Sequence, residues 1–296
     1  MERIRQKLTG NYTLTADALD DEGTVFEPVA PATVEIFDGA GASVYTTTTT
    51  IPAVPADPPP EGDPPAAATS FSATIPATEL PLLDTYRCVW TDDDGTTVET
   101  LIDLCGGHLF TVADLRATDP SYADASRYPL ARIQRARLAA ELRFEQAAGL
   151  AYVRRGRRLT LRGDGSSRLR VLDTEIHTVR SASIDGTAFT ADQLAELTPR
   201  VWGAIDRPAG LYWTDRAEIT IHYEHGLDYP PEPVSQAVMT LTSEYLTRKA
   251  LSSRAVTEVT DVGTFNLSVA GFRKPTGIPE VDRIVQDYGR RTALVG

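Results

Sequence analysis

The chain changes its hydrophobic period near residue 110, and this constrains its fold more than any other feature. Before that point, apolar and polar residues alternate with a period of two. After it, stretches appear in which apolar residues step by three and four. A period of two lays one face of a strand on a core, and a period near 3.6 does the same for a helix. The sequence therefore predicts a β-domain followed by a mixed module, an α+β multidomain chain.

In the first part, Thr33-Val34-Glu35-Ile36-Phe37 alternates and meets the turn cluster Asp38-Gly39-Ala40-Gly41. Ser43 to Ile51 then resumes with Val44, Tyr45 and five threonines, β-branched residues suited to a strand with one wet face. A second hairpin runs from Tyr86–Thr91 through Asp92-Asp93-Asp94-Gly95 into Thr97–Leu104. The Asp triplet lacks the spaced ligand set of a calcium loop, and a turn with positive φ at Gly95 accounts for it. Six or seven short strands without a helix point to a β-sandwich of immunoglobulin-like type over residues 1–108. Seven prolines fall between Pro52 and Ala68 and forbid helix or ladder there, so 52–68 reads as an extended, solvated loop.

Charge changes at the same place. Residues 1–108 hold eighteen Asp/Glu against four Lys/Arg, whereas residues 109–296 are nearly balanced, within a chain of net charge -12. A strongly acidic domain repels DNA. The boundary is expected at 108/109.

In the second part, Thr111 and Asp114 have the spacing of a capping box. A helix follows, with Pro129 in its first turn, Asp124 or Ser126 as cap, and Gly149 as its end. Ile133, Ala136, Ala140, Phe144 and Ala147 line its apolar face, and Arg132, Arg135, Glu141 and Glu145 are expected outside. Strand patterns return around Leu159/Leu161, Leu169/Val171 and Ile176–Ile184, the last closed by an Asp185-Gly186 turn, and again at Ile219, Ile221 and Tyr223. A second helix carries Val234, Ala237, Val238, Leu241 and Tyr245. A β-branched stretch containing Phe265 and Leu267 precedes a last helix, capped by Thr276 or Gly277, with the stripe Ile278, Val281, Ile284, Val285 and Tyr288. Such a stripe must be buried on its own domain or on a neighbour.

Chemistry-bearing constellations are scarce. The chain has no GxSxG, Walker loop, GxGxxG or HExxH pattern. Neither Cys88 nor Cys105 sits in a CxxC pair, so both read as buried thiols, with a bridge between them requiring an oxidising setting. His222 and His225 lie three apart at a strand end and point to opposite faces, a solvated strand end rather than a metal site. No catalytic residue, cofactor or metal is expected. Seven arginines between Arg154 and Arg170, led by Arg154, Arg155, Arg157 and Arg158, meet one acid, Asp164. They suit either an acidic partner surface or the wet face of a hairpin, while the lack of interleaved aromatics disfavours single-stranded nucleic acid. Met1–Gly10 has no apolar core of a secretory signal, and no apolar run approaches the roughly 20 residues that cross a bilayer.

Three stretches of residues 109–296 resemble the head-to-tail connector, or head-completion adaptor, proteins of long-tailed bacteriophages. They are Leu142–Gly149 with Tyr152–Arg155, Ile219–Pro231, and Pro275–Asp282 with Tyr288–Arg291. The acidic β-domain lies outside that resemblance. The resemblance implies a homo-oligomeric ring, typically twelvefold, under the portal protein at the virion neck. Such a ring extends the DNA channel without sequence-specific binding and presents a surface to the next neck or tail-completion protein. By the same resemblance Phe265, Leu267, Ile278, Val281, Ile284 and Tyr288 contact the portal or a neighbouring subunit. The N-terminal domain is then an outward decoration with a possible capsid contact. Two rival readings are a stand-alone binding module or adhesin, which needs a signal or anchor, and a carbohydrate-active enzyme, which needs two carboxylates about 5–10 Å apart.

Overall fold

A computed structural model describes residues 2–7, 10–19, 26–51, 70–171, 173–247, 257–260, 263–266 and 275–290. The loop expected at 52–68 lies outside the described residues. The chain is α+β. Strands β1 (Glu2–Arg5), β2 (Asn11–Asp17), β3 (Ala32–Phe37), β4 (Ser43–Thr49), β5 (Ser70–Pro76), β6 (Thr85–Thr91) and β7 (Thr97–Cys105) come first. Helices α1 (Val112–Thr118) and α2 (Leu130–Ala148) follow, then β8 (Arg155–Arg162), β9 (Arg168–Arg170), β10 (Ile176–Ile184) and β11 (Thr187–Ala188). The rest are α3 (Ala191–Ala195), β12 (Thr198–Arg200), β13 (Ala204–Asp206), β14 (Glu218–His225), α4 (Glu232–Thr247), β15 (Thr257–Thr260), β16 (Gly263–Asn266) and α5 (Pro279–Tyr288).

The first seven strands form two facing layers. One is ordered β4-β3-β6-β7 with β1 added in parallel to β7, and the other is the antiparallel pair β2-β5. Alternation places Tyr12, Leu14, Val34, Ile36, Phe71, Ile75, Cys88 and Trp90 between the layers. Tyr86, at the start of β6, donates its hydroxyl proton to the Leu82 carbonyl at 3.0 Å and pins the corner before that strand. The Asp92–Asp94 turn has Gly95 at φ 80°, and the Asp92 carboxylate accepts from the Thr96 amide at 2.8 Å.

A second core is helical. Ile133, Ala140 and Phe144 of α2 meet Val234, Val238 and Leu241 of α4 and Val281 and Val285 of α5. The capping box on α1 is present, with the Asp114 amide donating to Thr111 Oγ1 and the Thr111 amide to Asp114. Gly149 ends α2 at φ 64°, a left-handed position that costs glycine no Cβ clash. Two cap expectations are corrected. Pro129 itself is the N-cap of α2, and Ile278 is that of α5, because Pro279 takes the first helical position. Thr276 lies two residues before that cap, where its Oγ1 accepts from the Ile278 amide at 3.3 Å and its hydroxyl donates to Asp282 at 2.7 Å.

A third core lies between the strands β8, β10 and β14 and the small sheet β12-β13-β9, filled by Leu169, Ile205, Trp213, Ile219, Ile221 and Tyr223. The Asp185-Gly186 turn closing β10 has φ 48° and 78°, as a two-residue hairpin requires. One nine-stranded sheet crosses from the first part of the chain to the second: β8 joins β7 through the pair Cys105–Arg155 and carries β14 and β10 on its other side.

Candidate functional site

The three stretches singled out in the sequence meet at the C-terminal end of α2. After Gly149 turns the chain, the Ala151 carbonyl accepts from the Leu227 amide at 3.2 Å, and the Ala148 carbonyl accepts from the Arg290 amide at 2.7 Å. The Tyr152 hydroxyl donates to the Tyr288 carbonyl at 2.9 Å, and Arg154 pairs with Asp228. Gly226, at φ 101°, has no room for a side chain, since a Cβ there would overlap the Val153 carbonyl. The end of α2, the turn after β14 and the end of α5 therefore form one joint.

Beneath this joint lies a buried ion network that ties β1 to α2. Arg3 contacts Glu141 at 2.7 Å, Glu145 at 3.0 Å and Asp103 at 3.4 Å, and Arg155 also pairs with Glu145. Glu141 accepts from the Leu109 amide at 2.9 Å, and the His108 ring lies 3.6 Å from it. Glu141 and Glu145, expected on the outer side of their helix, are buried instead. A carboxylate on an apolar face is tolerated when a buried guanidinium and backbone N–H groups satisfy it. Burial alone pushes the Glu141 carboxyl up, yet His108, Arg3 and the Leu109 amide together hold it below its ordinary value. Burial likewise disfavours the Arg3 charge, and Glu145, Glu141 and Asp103 outweigh that and raise its pKa. Neither Arg3 nor its distant carboxylates carried a local signal, because a pairing over 138 positions has no sequence spacing to betray it.

The four arginines that lead the basic cluster are engaged within the chain. Arg154 pairs with Asp228, Arg155 with Glu145, and Arg157 with Asp173 at 2.7 Å. Arg158 meets Asp38 at 2.9 Å and Asp84 at 3.0 Å, both in the acidic β-domain. His222 and His225 are buried, not at a solvated strand end. The Leu83 carbonyl faces His222 at 3.2 Å, and Asp173 lies 3.8 Å from His225. Burial pulls the His225 ring down to about 4, against the opposing charge of Asp173. Cys88 and Cys105 are buried and unpaired with each other. Among the described residues, no group of three or more His, Cys, Asp or Glu side chains is arranged to hold a metal ion.

Of the residues expected at a portal or subunit contact, Val281 is buried in the helical core, and Ile278 and Ile284 are half-buried against it. Tyr288 is 38% exposed. Phe265 lies on the backbone of β16, and Leu267 falls outside the described residues. Next to the joint, Gln146–Leu150 and Arg290 face Val201 and Trp202 across a groove of about 820 Å³. The turn bearing Val201 and Trp202 is tied down by Glu175, which adopts φ 53°, donates its amide to the Val201 carbonyl at 2.6 Å and accepts from the Gly226 amide at 3.0 Å.

No family model matches the chain, and no curated protein does. One solved structure, titled "Neck of empty GTA particle computed with C6 symmetry", aligns with 64% of this chain and 93% of that chain. Identity is 16% and the TM-score is 0.43, a likeness below the level of a shared fold.

Proposed function

We propose that this chain is a structural protein of the neck of a tailed-phage-like particle, in the role of a head-to-tail connector. It forms a ring, twelvefold by its sequence resemblance, beneath the portal, lets DNA pass without reading its sequence, and offers a surface to the next neck or tail-completion protein. One observation carries the reading. The three connector-like stretches are up to about 150 positions apart, yet they hydrogen-bond to one another in a single joint.

In this reading Tyr288 and the exposed parts of Ile278 and Ile284, together with Phe265 and Leu267, meet the portal or a neighbouring subunit. Val281 holds the helix in place. The acidic β-domain is an immunoglobulin-like sandwich, supported by its strand order and by the Tyr86 corner bond. It projects from the ring toward the capsid or a tail-side neighbour. Co-expression with the portal protein followed by electron microscopy tests the proposal: rings on the portal are expected, and a chain that stays monomeric with portal present sinks it. Truncation after Arg273 is expected to abolish portal binding; binding that survives would move the contact away from α5.

A further inference from the structure

The four arginines that lead the basic cluster are engaged inside the chain, but its last two, Arg168 and Arg170, join Arg200 on a basic surface open to solvent. In the sheet β12-β13-β9, register places Arg168 opposite Asp206 and Arg170 opposite Ala204, with Ala204 in turn opposite Arg200. Alternation sends Leu169 and Ile205 into the core and Arg168, Arg170, Arg200 and Asp206 to the outer face. One aspartate is shared by two of these arginines, with Arg168 at 2.7 Å and Arg200 at 2.9 Å, so the face retains positive charge. Its rim is apolar. Val201 and Trp202, 59% and 51% exposed, sit on the β12–β13 turn, with the Arg168 guanidinium 4.8 Å from the indole centroid. Exposed Trp and Arg held on a pinned turn have the composition of an interface anchor.

The complementary surface is at the far end of the acidic sandwich. The turn after β6 and the loop before β3 are bound together there, with the Asp93 amide donating to the Val29 carbonyl at 3.2 Å. This tip exposes Glu27, Asp93 and Asp94 around Val29, itself 40% exposed. Among the described residues none of these three carboxylates has an ion-pair partner. Val29 in the middle matches the apolar rim of the basic face.

We infer that the outer face of β12-β13-β9, with Trp202 as its anchor, docks the acidic sandwich tip of a second copy of this chain. The inference rests on the ring reading, since unlike patches on one chain make a head-to-tail contact, and such contacts form a ring when the rotation between copies closes. It assigns the second part of the chain's acidic partner to its own neighbour.

The test uses the full chain, alone and with portal protein, followed by mass photometry. Asp93→Lys with Asp94→Lys is expected to weaken self-association about tenfold or more, as is Arg170→Glu with Arg200→Glu, which leaves Arg168 on Asp206. Trp202→Ala is expected to do the same at unchanged net charge. Combining both charge reversals in one chain restores association to within about threefold of the unsubstituted protein, because the attraction is rebuilt with opposite signs. Association unchanged in the single-sided variants, or not restored in the combined one, overturns the inference while leaving the ring standing. Loss of duplex-DNA retention by the Arg170/Arg200 variant, with self-association intact, overturns it in favour of nucleic acid. A chain that never associates overturns both readings.

Discussion

Gly156 shows how closely the two parts of the chain are fitted. It lies on β8 where that strand passes the sandwich, and a Cβ there would overlap the Leu83 carbonyl and crowd His222. Gly156→Ala therefore has to open the seam; a loss of about 3 kcal/mol or more is expected in urea denaturation. Arg3 holds the same seam by charge. Arg3→Met leaves the Glu141 and Glu145 carboxylates in place with one cation fewer, and a loss of about 3–5 kcal/mol is expected by the same measurement. A third residue sets a pH dependence. His225 is neutral in the fold with its pKa lowered to about 4, whereas in the unfolded chain it titrates near 6.5. A depressed folded value gives stability that is present above the unfolded pKa and is lost as pH falls toward the folded one. His225 should thus contribute up to one proton to the fall in unfolding free energy between about pH 6.5 and 4, beside the buried His222, which burial also lowers, and His225→Gln should reduce the slope in that window by that amount. An unchanged slope in the variant would assign the window to another group.

At the scale of elements, β1 is four residues long and yet belongs to both parts: it pairs with β7 and sends Arg3 under α2. A fragment 109–296 would leave Glu141 without the Arg3 guanidinium and without the residues of the first part that pack around it. It is expected to be poorly soluble, and Glu141→Gln with Glu145→Gln in that fragment should recover part of the soluble yield; equal yields with and without the substitutions would show that the network is dispensable. The same elements mark what the sequence made legible. Local rules worked where the partner is near: the Thr111–Asp114 box, the Asp185-Gly186 turn, Gly149 after α2 and the Ile133, Ala140, Phe144 face are all legible from spacing. Expectations failed where the partner is far. A helix wheel shows Glu141 and Glu145 as charged and therefore outside, because Arg3 enters from a strand at the other end of the chain. The two histidines looked solvated because nothing in their own strand reveals that β8, β10 and the 83–84 segment close over them. The Val201–Trp202 turn gave no periodic signal, and only its fixation by Glu175 distinguishes it from an ordinary loop.

At the scale of the whole molecule, one sheet runs across the seam from the sandwich into the second part of the chain, joined there by the Cys105–Arg155 pair. β7 alone has nine residues, which at about 3.4 Å each place the acidic tip about 30 Å from the Cys105–Arg155 pair. The arrangement is a lever with its fulcrum at the Cys105–Arg155 pair. A rotation of about 5° at that fulcrum would sweep the tip through roughly 2.6 Å over that arm, close to the length of one hydrogen bond. In the proposed ring, the span between neighbouring copies would be gauged by how the joint is built, and a small repacking under α2 would be read out as a change in ring diameter.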